Sequence, residues 1–480
     1  MHFSIPDTQE FIDDSGNAYL GYNIHINGLF HCTVRYKQLL NLHVQLGKYL
    51  DLLLPEFPPK KLFPLTLNQQ EERRSLLEKY IQTIGQNSTI NSSELLNGFL
   101  LHAQQETSGE NPAEQTLDVF LINGYKITVN TSSREHSEQV LTKVCRHIEL
   151  EDKYACYFAL YLMHQEDDCN INVLRKLQNF ESPLVTQKNI PLISIRIVLG
   201  KSYWDPTYDE ELIHDDVALN LLYIQAASDI DRGWISVPEE SRNRLTSLRA
   251  SGNKKEYLKL AKSLKYYGYI QFVPCISDYP QPGTRALVAI GKNELNLRIY
   301  QEGEDECEAT FKVTRMRCWR ITTLHNAMEK RGEEDYSLEL SFEYLMARNQ
   351  LQWITISSEQ AILMSVCLQA MIDELLIKSI GGNKNQDKSS KTWTYMKRDG
   401  NSQVITTSTS IDSINKIDEE IGDQECVPPK SEPIMRKITE RLSAVTVKKS
   451  NVVKKSPNVL SKGDNSTVNN AFHMIGDDDL

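Results

Sequence analysis

Six short segments in the second half of the sequence have the patterns of strands, most of them with apolar and polar residues in alternation, and one long apolar segment follows them. The six segments are residues 287–290, 295–299, 311–313, 316–321, 338–344 and 351–356. A period of two residues is typical of strands, so these segments predict successive antiparallel strands. Ser357-Ser358-Glu359-Gln360 has the spacing of a capping box, and residues 361–376 predict a helix. Strands closed by one helix predict a small sandwich whose groove can accept an extended peptide as an added strand.

Two different patterns precede this sandwich. Residues 117–121 and 125–129 alternate on either side of Asn123-Gly124, which predicts a hairpin with a two-residue turn. A helical stretch and a strand-like segment follow the hairpin, so a ubiquitin-like unit is expected. Residues 209–269 then have helical periodicity.

Five lysines in this helical stretch form a charged face. We interpret the face as solvated, with contact to anionic lipid as the alternative. They are Lys254, Lys255, Lys259, Lys262 and Lys265.

A cluster of basic side chains lies near the N-terminus of an otherwise acidic chain. Residues 31–80 contain eight Lys or Arg against five Asp or Glu, whereas the whole chain has a net charge of −11. Arg35-Tyr36-Lys37 follows a predicted strand, Pro58-Pro59-Lys60-Lys61 predicts an extended loop, and Arg73 lies in a helical segment. Arg offers a planar fork of donors and Lys a compact charge, which together favour a phosphate ligand. A solvated rim of a small domain is the alternative for motifs this short.

Composition limits the classes of function. The isoelectric point near 5.6 argues against a general nucleic-acid binder, which would carry a broad basic face. The nine cysteines include no Cys-x-x-Cys pair, so neither a zinc site nor a disulfide framework is expected. No signal segment or spanning run is recognised, which predicts a cytosolic protein that reaches membranes peripherally. Phosphate-binding Gly-rich loops, His-Glu-x-x-His and Gly-x-Ser-x-Gly are missing from the sequence, so we expect neither an enzyme nor a cofactor.

The basic cluster resembles the lipid site of a phox-homology (PX) domain. Arg-Tyr at a strand end, a Phe-Pro-Pro-Lys-Lys loop and a downstream Arg occur in that domain's order within residues 1–108. The resemblance implies that Arg35 holds the 3-phosphate of phosphatidylinositol 3-phosphate and that Tyr36 packs on the inositol ring. Lys60 and Arg73 would then hold the remaining groups. Lys37, where many members have a small hydroxyl residue, is included in the expected site.

The later segments follow the order of a FERM domain, namely a ubiquitin-like unit, a helical unit and a sandwich with a terminal helix. A PX domain followed directly by a FERM-like domain resembles one branch of the sorting nexins, as do the stretches Lys201-Ser202-Tyr203-Trp204-Asp205 and Arg315-Met316-Arg317-Cys318-Trp319-Arg320. The resemblance implies an α+β multidomain protein. Its expected parts are a PX domain (1–108), a ubiquitin-like lobe (115–205), a helical lobe (206–273), a PTB-like lobe (274–380) and a disordered tail (381–480).

The PTB-like lobe of that branch binds Asn-Pro-x-Tyr or Asn-x-x-Tyr signals, which implies receptor tails of the LDL-receptor-family and integrin kinds as cargo. The peptide would pair with the strand that carries Trp319. Ile372 and Leu376 would contact it from the helix, and Leu345 would support the lobe. A role in the core is the alternative for each of these side chains, because apolar stripes normally pack inward.

The tail combines a polar composition with a distinct ending. From Gly381 onward Ser, Thr, Asn and Lys predominate, and such a segment cannot bury enough apolar area to fold alone. In one sorting nexin branch a terminal Ile-Gly-Asp-x-x-Leu segment binds the retriever recycling complex. The chain ends in Ile475-Gly476-Asp477-Asp478-Asp479-Leu480, so Ile475, Gly476, Asp477 and Leu480 are the expected contacts.

These features predict a monomeric endosomal cargo adaptor on the cytoplasmic face of early endosomes. It would couple receptor tails to retriever for recycling to the plasma membrane, away from lysosomal degradation. The alternative is an effector of a small GTPase that is recruited to membranes and acts through the ubiquitin-like lobe.

Overall fold

A computed structural model gives the fold of most of the chain. It describes residues 1–12, 15–50, 53–61, 64–109, 113–165, 171–190, 192, 194–299, 307–325, 336–380, 392–406, 466–469 and 472. Helices and strands are both abundant, and the predicted α+β multidomain organisation is confirmed.

The N-terminal domain packs a four-stranded antiparallel sheet against helices. Its strands are β1 (Phe3–Ser4), β2 (Thr8–Ile12), β3 (Ala18–Ile26) and β4 (Leu29–Arg35), and its helices are α1 (Tyr36–Tyr49), α2 (Leu67–Gln86), α3 (Ser88–Asn91) and α4 (Glu94–Ser108). Asn27 and Gly28 join β3 to β4 with φ of 51° and 86°, which is the positive-φ pair that a tight hairpin turn requires. The strand therefore ends at Arg35, directly before α1.

The ubiquitin-like lobe is a five-stranded sheet in the order β6-β5-β9-β7-β8. Its elements are β5 (Gln115–Leu121), β6 (Lys126–Thr131), α5 (Ser137–His147), β7 (Phe158–Gln165), β8 (Ile171–Lys176), α6 (Pro183–Asn189) and β9 (Ile195–Lys201). The hairpin predicted around Asn123-Gly124 is β5–β6, and β5 also pairs in parallel with β9.

The helical lobe consists of α7 (Asp209–Leu212), α8 (Asp216–Asp231), α9 (Glu239–Ala250) and α10 (Lys254–Ser263). The predicted helical stretch to residue 269 was too long, because α10 ends at Ser263. Tyr266 and Gly268 have φ of 68° and 77°, which a helix cannot accommodate.

The PTB-like lobe contains all six predicted strands and the closing helix. Its elements are β10 (Ile270–Gln271), β11 (Cys275–Ser277), β12 (Thr284–Gly291), β13 (Glu294–Ile299), β14 (Cys307–Lys312), β15 (Met316–His325), β16 (Tyr336–Ala347), β17 (Gln350–Ser357) and α11 (Ala361–Ile380). The short strand β11 pairs with both β12 and β17 and so joins the two halves of the sandwich. The sequence analysis did not predict β10 or β11, which are two and three residues long.

Two segments of the tail are also strands, because they pair with or pack on the earlier domains. A hairpin of β18 (Thr392–Met396) and β19 (Ser402–Thr406) packs against α1 and α4 of the N-terminal domain. Farther along, β20 (Ser466–Val468) pairs antiparallel with β15. Neither segment needs a core of its own, since the partner domains supply the apolar surface or the paired strand.

A buried polar network fixes the N-terminal domain to the ubiquitin-like lobe. The carboxylate of Glu181, fully buried, accepts from both terminal nitrogens of Arg175. Glu181 also accepts from the hydroxyl of Thr186 over 2.9 Å, and that hydroxyl in turn accepts from the side-chain amide of Gln104. His31 lies 4.0 Å from Glu181 and contacts the carbonyl of Leu100 through its other ring nitrogen. Hydrogen bonds from Gln104 and the approach of His31 to Glu181 thus join the two domains through buried polar groups.

Candidate functional sites

Three basic side chains of the N-terminal domain meet at one cavity of about 460 Å³. Arg35 enters it from the end of β4, Tyr36 and Lys37 from the start of α1, and Arg73 from α2. The guanidinium carbon of Arg35 lies 3.6 Å from the centre of the Tyr19 ring, and that of Arg73 lies 4.6 Å from the centre of the Tyr36 ring. These stacking contacts orient both guanidinium groups within the cavity.

Arg73 and its neighbour Arg74 have different roles. Arg74 is paired within the domain, since it donates to Glu71 over 2.7 Å and to Glu78 over 3.1 Å. Nη2 of Arg73 is buried and makes no hydrogen bond within the part of the chain that the structure describes. A buried donor without a partner is costly, so this nitrogen is suited to an anionic ligand.

The loop that carries Lys60 is attached to this site indirectly. The hydroxyl of Tyr36 donates to the carbonyl of Pro58 over 2.7 Å and holds the loop beside α1. Lys60 itself is exposed and does not line the cavity. The structure therefore brings together Arg35, Tyr36, Lys37 and Arg73 and leaves Lys60 at the periphery.

The expected cargo contacts lie on two facing elements, β15 and α11. The indole of Trp319 is only 1% exposed, and its Nε1 donates to Ser365 on α11 over 2.9 Å. Ile372 is buried in the same core, Leu376 packs against it half-buried, and Leu345 is half-buried on β16. For the side chains of Trp319 and Ile372 the structure supports the core interpretation. What β15 presents for pairing is its main chain.

The edge of β15 is occupied by the chain itself. Thr467 lies opposite Trp319 in the register of β20, and the side-chain amide of Asn469 donates to the carbonyls of Val313 and Met316 over 2.7 and 2.5 Å. The sequence analysis did not predict this contact, although a signal was available. Asn469-Asn470-Ala471-Phe472 has the Asn-x-x-aromatic spacing of the peptides that the groove is expected to bind.

Beyond Thr467 the groove continues as a cavity of about 600 Å³ between the PTB-like lobe and the N-terminal domain. Ile321 and Thr323 of β15 and Gln369 of α11 line one side. His2 and Gln86 of the N-terminal domain line the other. The two domains thus share the walls of this space.

The lysine face of the helical lobe is largely engaged with the chain's own polar groups. Lys254 donates to Asn220 over 2.7 Å, Lys262 lies 3.9 Å from a carboxylate oxygen of Asp209, and Lys265 contacts Glu308. This pairing agrees with the solvated, structural interpretation of the face rather than with a lipid site.

Three further expectations concern the retriever contacts, GTPase binding, and membrane-spanning or metal-binding features. The proposed retriever contacts, Ile475 to Leu480, lie outside the described residues. Binding of a GTPase by the ubiquitin-like lobe stays a prediction. Across the described ranges no helix is long and apolar enough to cross a membrane, and no group of three metal-ligating side chains occurs there.

Models of known families match four consecutive parts of the chain. The PX domain matches residues 22–103, and the F1 lobe of the sorting nexin 17/27/31 FERM domain matches residues 115–204. The F2 lobe of the sorting nexin 17/31 FERM domain matches residues 205–265, and the sorting nexin 17 FERM C-terminal domain matches residues 268–376.

Similarity to curated proteins extends over the whole length. The chain is 42% identical over 489 residues to sorting nexin-17 of Danio rerio and 41% identical over 488 residues to that of Homo sapiens, with both chains covered completely in each comparison. Sorting nexin-31 of Homo sapiens is 33% identical over 386 residues, which covers 80% of this chain and 88% of that protein.

Proposed function

The chain belongs to the sorting nexin family, in the branch that includes sorting nexin-17, and from this premise we propose that it is an endosomal cargo adaptor. It binds phosphatidylinositol 3-phosphate with its PX domain and Asn-Pro-x-Tyr or Asn-x-x-Tyr signals of receptor tails with its PTB-like lobe. Through its terminal residues it couples this cargo to the retriever complex, which returns receptors to the plasma membrane instead of the lysosome. It acts on the cytoplasmic face of early endosomes.

The lipid part of the proposal is supported by the cation cavity. Arg35, Lys37 and Arg73 converge there, and the unpartnered Nη2 of Arg73 can donate to a phosphate oxygen. Tyr36 supplies an aromatic face on which an inositol ring can rest. Lys60, on its exposed loop, can approach a headgroup only from the cavity rim.

The cargo part is supported chiefly by one observation, the seating of Asn469 beside β15. A receptor peptide can pair with the main chain of β15 as β20 does, and its own Asn can reach the carbonyls of Val313 and Met316. The tail and the cargo would use the same strand edge, so only one of them can be bound at a time.

The retriever part rests on the terminal sequence alone. The terminal residues Ile475, Gly476, Asp477 and Leu480 follow Asn469, the residue seated beside β15, within eleven positions. We expect Leu480→Ala to abolish pull-down of purified retriever and to leave peptide binding unchanged. Equal pull-down by wild type and Leu480→Ala would contradict this part of the proposal.

Calorimetry with the full chain tests the cargo proposal. An Asn-Pro-x-Tyr peptide is titrated beside a matched peptide in which Asn is replaced by Ala. We expect the Ala peptide to bind at least about tenfold more weakly, because two buried carbonyls lose their donor. Equal affinity for the two peptides would contradict the proposed groove, whatever the behaviour of the lipid site.

A further inference from the structure

The hairpin β18–β19 is built into the N-terminal domain although it follows the PTB-like lobe in sequence. Tyr395 of β18 is only 2% exposed and belongs to the core of that domain. Its ring centre lies 5.8 Å from that of Phe99 and 5.2 Å from that of His102, and its hydroxyl donates to Glu106 over 2.8 Å. A buried aromatic side chain with a satisfied hydroxyl is a strong anchor.

Two glutamines of α1 hold the main chain of β18. The side chain of Gln45 accepts from the amide of Thr394 over 2.8 Å and donates to the carbonyl of the same residue. Two turns earlier on the same helix, Gln38 donates to the carbonyl of Met396 over 3.0 Å. The helix therefore offers side-chain amides where a neighbouring strand would offer its backbone.

Arg398 attaches the turn of the hairpin to the N-terminal domain. Its side chain donates to the hydroxyl of Thr107 over 2.6 Å and contacts the carbonyl of Thr33. Its main-chain amide donates to Glu106 over 2.5 Å. These contacts hold the Arg398 guanidinium against Thr33 and Thr107, and the carbonyl of Arg398 accepts from the guanidinium of Arg35.

Residues 397–400 form one wall of the cavity that holds Arg35, Lys37 and Arg73. Of the two charged turn residues whose side chains are exposed, Asp399 accepts from the backbone and side-chain amides of Asn401 over 2.8 and 2.9 Å. Its carboxylate is thus occupied within the turn. Lys397 is the exposed cation that the turn contributes to the cavity wall.

The hairpin turn lines one side of the cavity and leaves its interior open. About 460 Å³ remains with the turn in place, which is within the range of ligand sites in proteins. A guanidinium has five donors, so one bond from Arg35 to the Arg398 carbonyl fixes its orientation and leaves donors for phosphate.

We propose that the turn at residues 397–400 is part of the phosphoinositide site, with Lys397 as a further contact to the headgroup phosphates and the Arg398 carbonyl as the group that positions Arg35. The inference rests on the proposed lipid function of the cavity. It assigns headgroup binding jointly to the PX domain and to a segment that lies beyond the FERM domain in sequence.

The test measures binding of the full chain to phosphatidylcholine vesicles with and without phosphatidylinositol 3-phosphate, and to soluble inositol 1,3-bisphosphate. Lys397→Ala is compared with wild type, with Arg35→Gln and with Lys259→Ala, an exposed lysine of the helical lobe. We expect Lys397→Ala to weaken binding to both ligands about 10- to 150-fold, the effect of one charge-assisted hydrogen bond, and Lys259→Ala to leave both unchanged.

The other outcomes distinguish failure of the lipid site from failure of the inference about the turn. Wild-type binding by Arg35→Gln would refute the lipid site itself and the inference with it. Loss of binding in Arg35→Gln together with wild-type binding in Lys397→Ala would refute the inference alone. Weakening on vesicles but not on the soluble headgroup would assign Lys397 to the membrane surface instead of the headgroup.

A second variant examines the positioning role. Gln45→Ala removes both bonds to Thr394, and we expect faster hydrogen exchange across residues 392–406 together with weaker headgroup binding. Tighter binding in this loosened chain would show that the turn obstructs the site, which would overturn the proposal.

Discussion

The side-chain amide of Asn469 donates to the main-chain carbonyl of Val313 over 2.7 Å, across 156 positions of sequence. Asn469 is 1% exposed, so this contact is made out of water. It fixes the end of β20 against the same strand edge that a receptor peptide would use.

Release of this contact should favour cargo. Asn469→Ala removes the donor to two buried carbonyls, which is expected to cost the tail about 1–3 kcal/mol. The apparent dissociation constant of an Asn-Pro-x-Tyr peptide for the full chain should then fall about 5- to 100-fold in calorimetry. Val468→Ala is the matched control, because that side chain is 67% exposed and the main-chain pairing is kept. Identical affinities of Asn469→Ala and wild type would show that the tail does not compete.

The buried pair of Arg175 and Glu181 should be needed for the junction of the first two domains. Arg175→Met leaves the Glu181 carboxylate buried without its cation, and we expect a loss of about 3–5 kcal/mol in the free energy of unfolding. Arg175→Met combined with Glu181→Met removes both charges and should cost clearly less. Urea unfolding of the three chains measures this difference, and a double variant at least as unstable as the single one would contradict the electrostatic explanation.

His31 should make stability depend on pH. Burial lowers the pKa of its imidazole to about 4, from about 6.5 in an unfolded chain. As pH falls below 6.5 the unfolded chain takes up a proton that the folded chain refuses until about pH 4, so stability is lost across this range. The loss attributable to His31 is about 2 kcal/mol between pH 7 and pH 5.

His31→Gln is expected to flatten this pH dependence in urea unfolding, since Gln can still donate to the Leu100 carbonyl. His214→Gln changes an exposed imidazole and serves as the control. If His31→Gln leaves the slope unaltered, another group causes the pH dependence. The next residue to examine is then His2, whose pKa burial also lowers to about 4.

Two helical glycines should respond oppositely to alanine. A Cβ at Gly47 in α1 would meet its nearest atom, in Leu54, at 3.6 Å, an ordinary contact. Gly47→Ala should therefore stabilise the chain by about 0.5–1 kcal/mol. A Cβ at Gly85 in α2 would lie 2.3 Å from the Phe3 ring, so Gly85→Ala should destabilise it by about 1–3 kcal/mol. Thermal unfolding of both variants tests the two predictions, and a change of the same sign in both would contradict the close packing of Phe3 against Gly85.

The sequence predicted the fold well where pattern and turn chemistry agree. Alternation of apolar residues and the Asn123-Gly124 turn located the first hairpin, and the long apolar segment located α11. The predicted capping box before that helix does not form, because the Ser357 hydroxyl donates to Glu339 and the Gln360 side chain accepts from the amide of Val273. Short strands such as β11 were not predicted, because a three-residue segment is too short to show the two-residue alternation of a strand. Its place in the sheet depends on partners on both sides.

The candidate sites could be predicted only in part, because local sequence patterns do not show contacts between distant residues. Arg35, Lys37 and Arg73 could be grouped from their order, whereas Lys60 lies off the cavity, on a loop that the Tyr36 hydroxyl holds by the carbonyl of Pro58. No local pattern tells whether Trp319 faces a groove or a core, and the structure places its indole inward. Contacts such as that of Tyr395 with Glu106 join residues 289 positions apart, which lies beyond the reach of periodicity.

The glutamines of α1 bear on how sequence variants are judged. Within residues 1–108 alone, Gln45 has no hairpin to hold, so a substitution there is expected to look neutral in a study of the isolated PX domain. In the full chain the same change would loosen Thr394 and the turn beside Arg35. Neutrality of a variant in one domain is thus a poor guide to its effect in a cell, where a distant part of the chain completes that domain's surface.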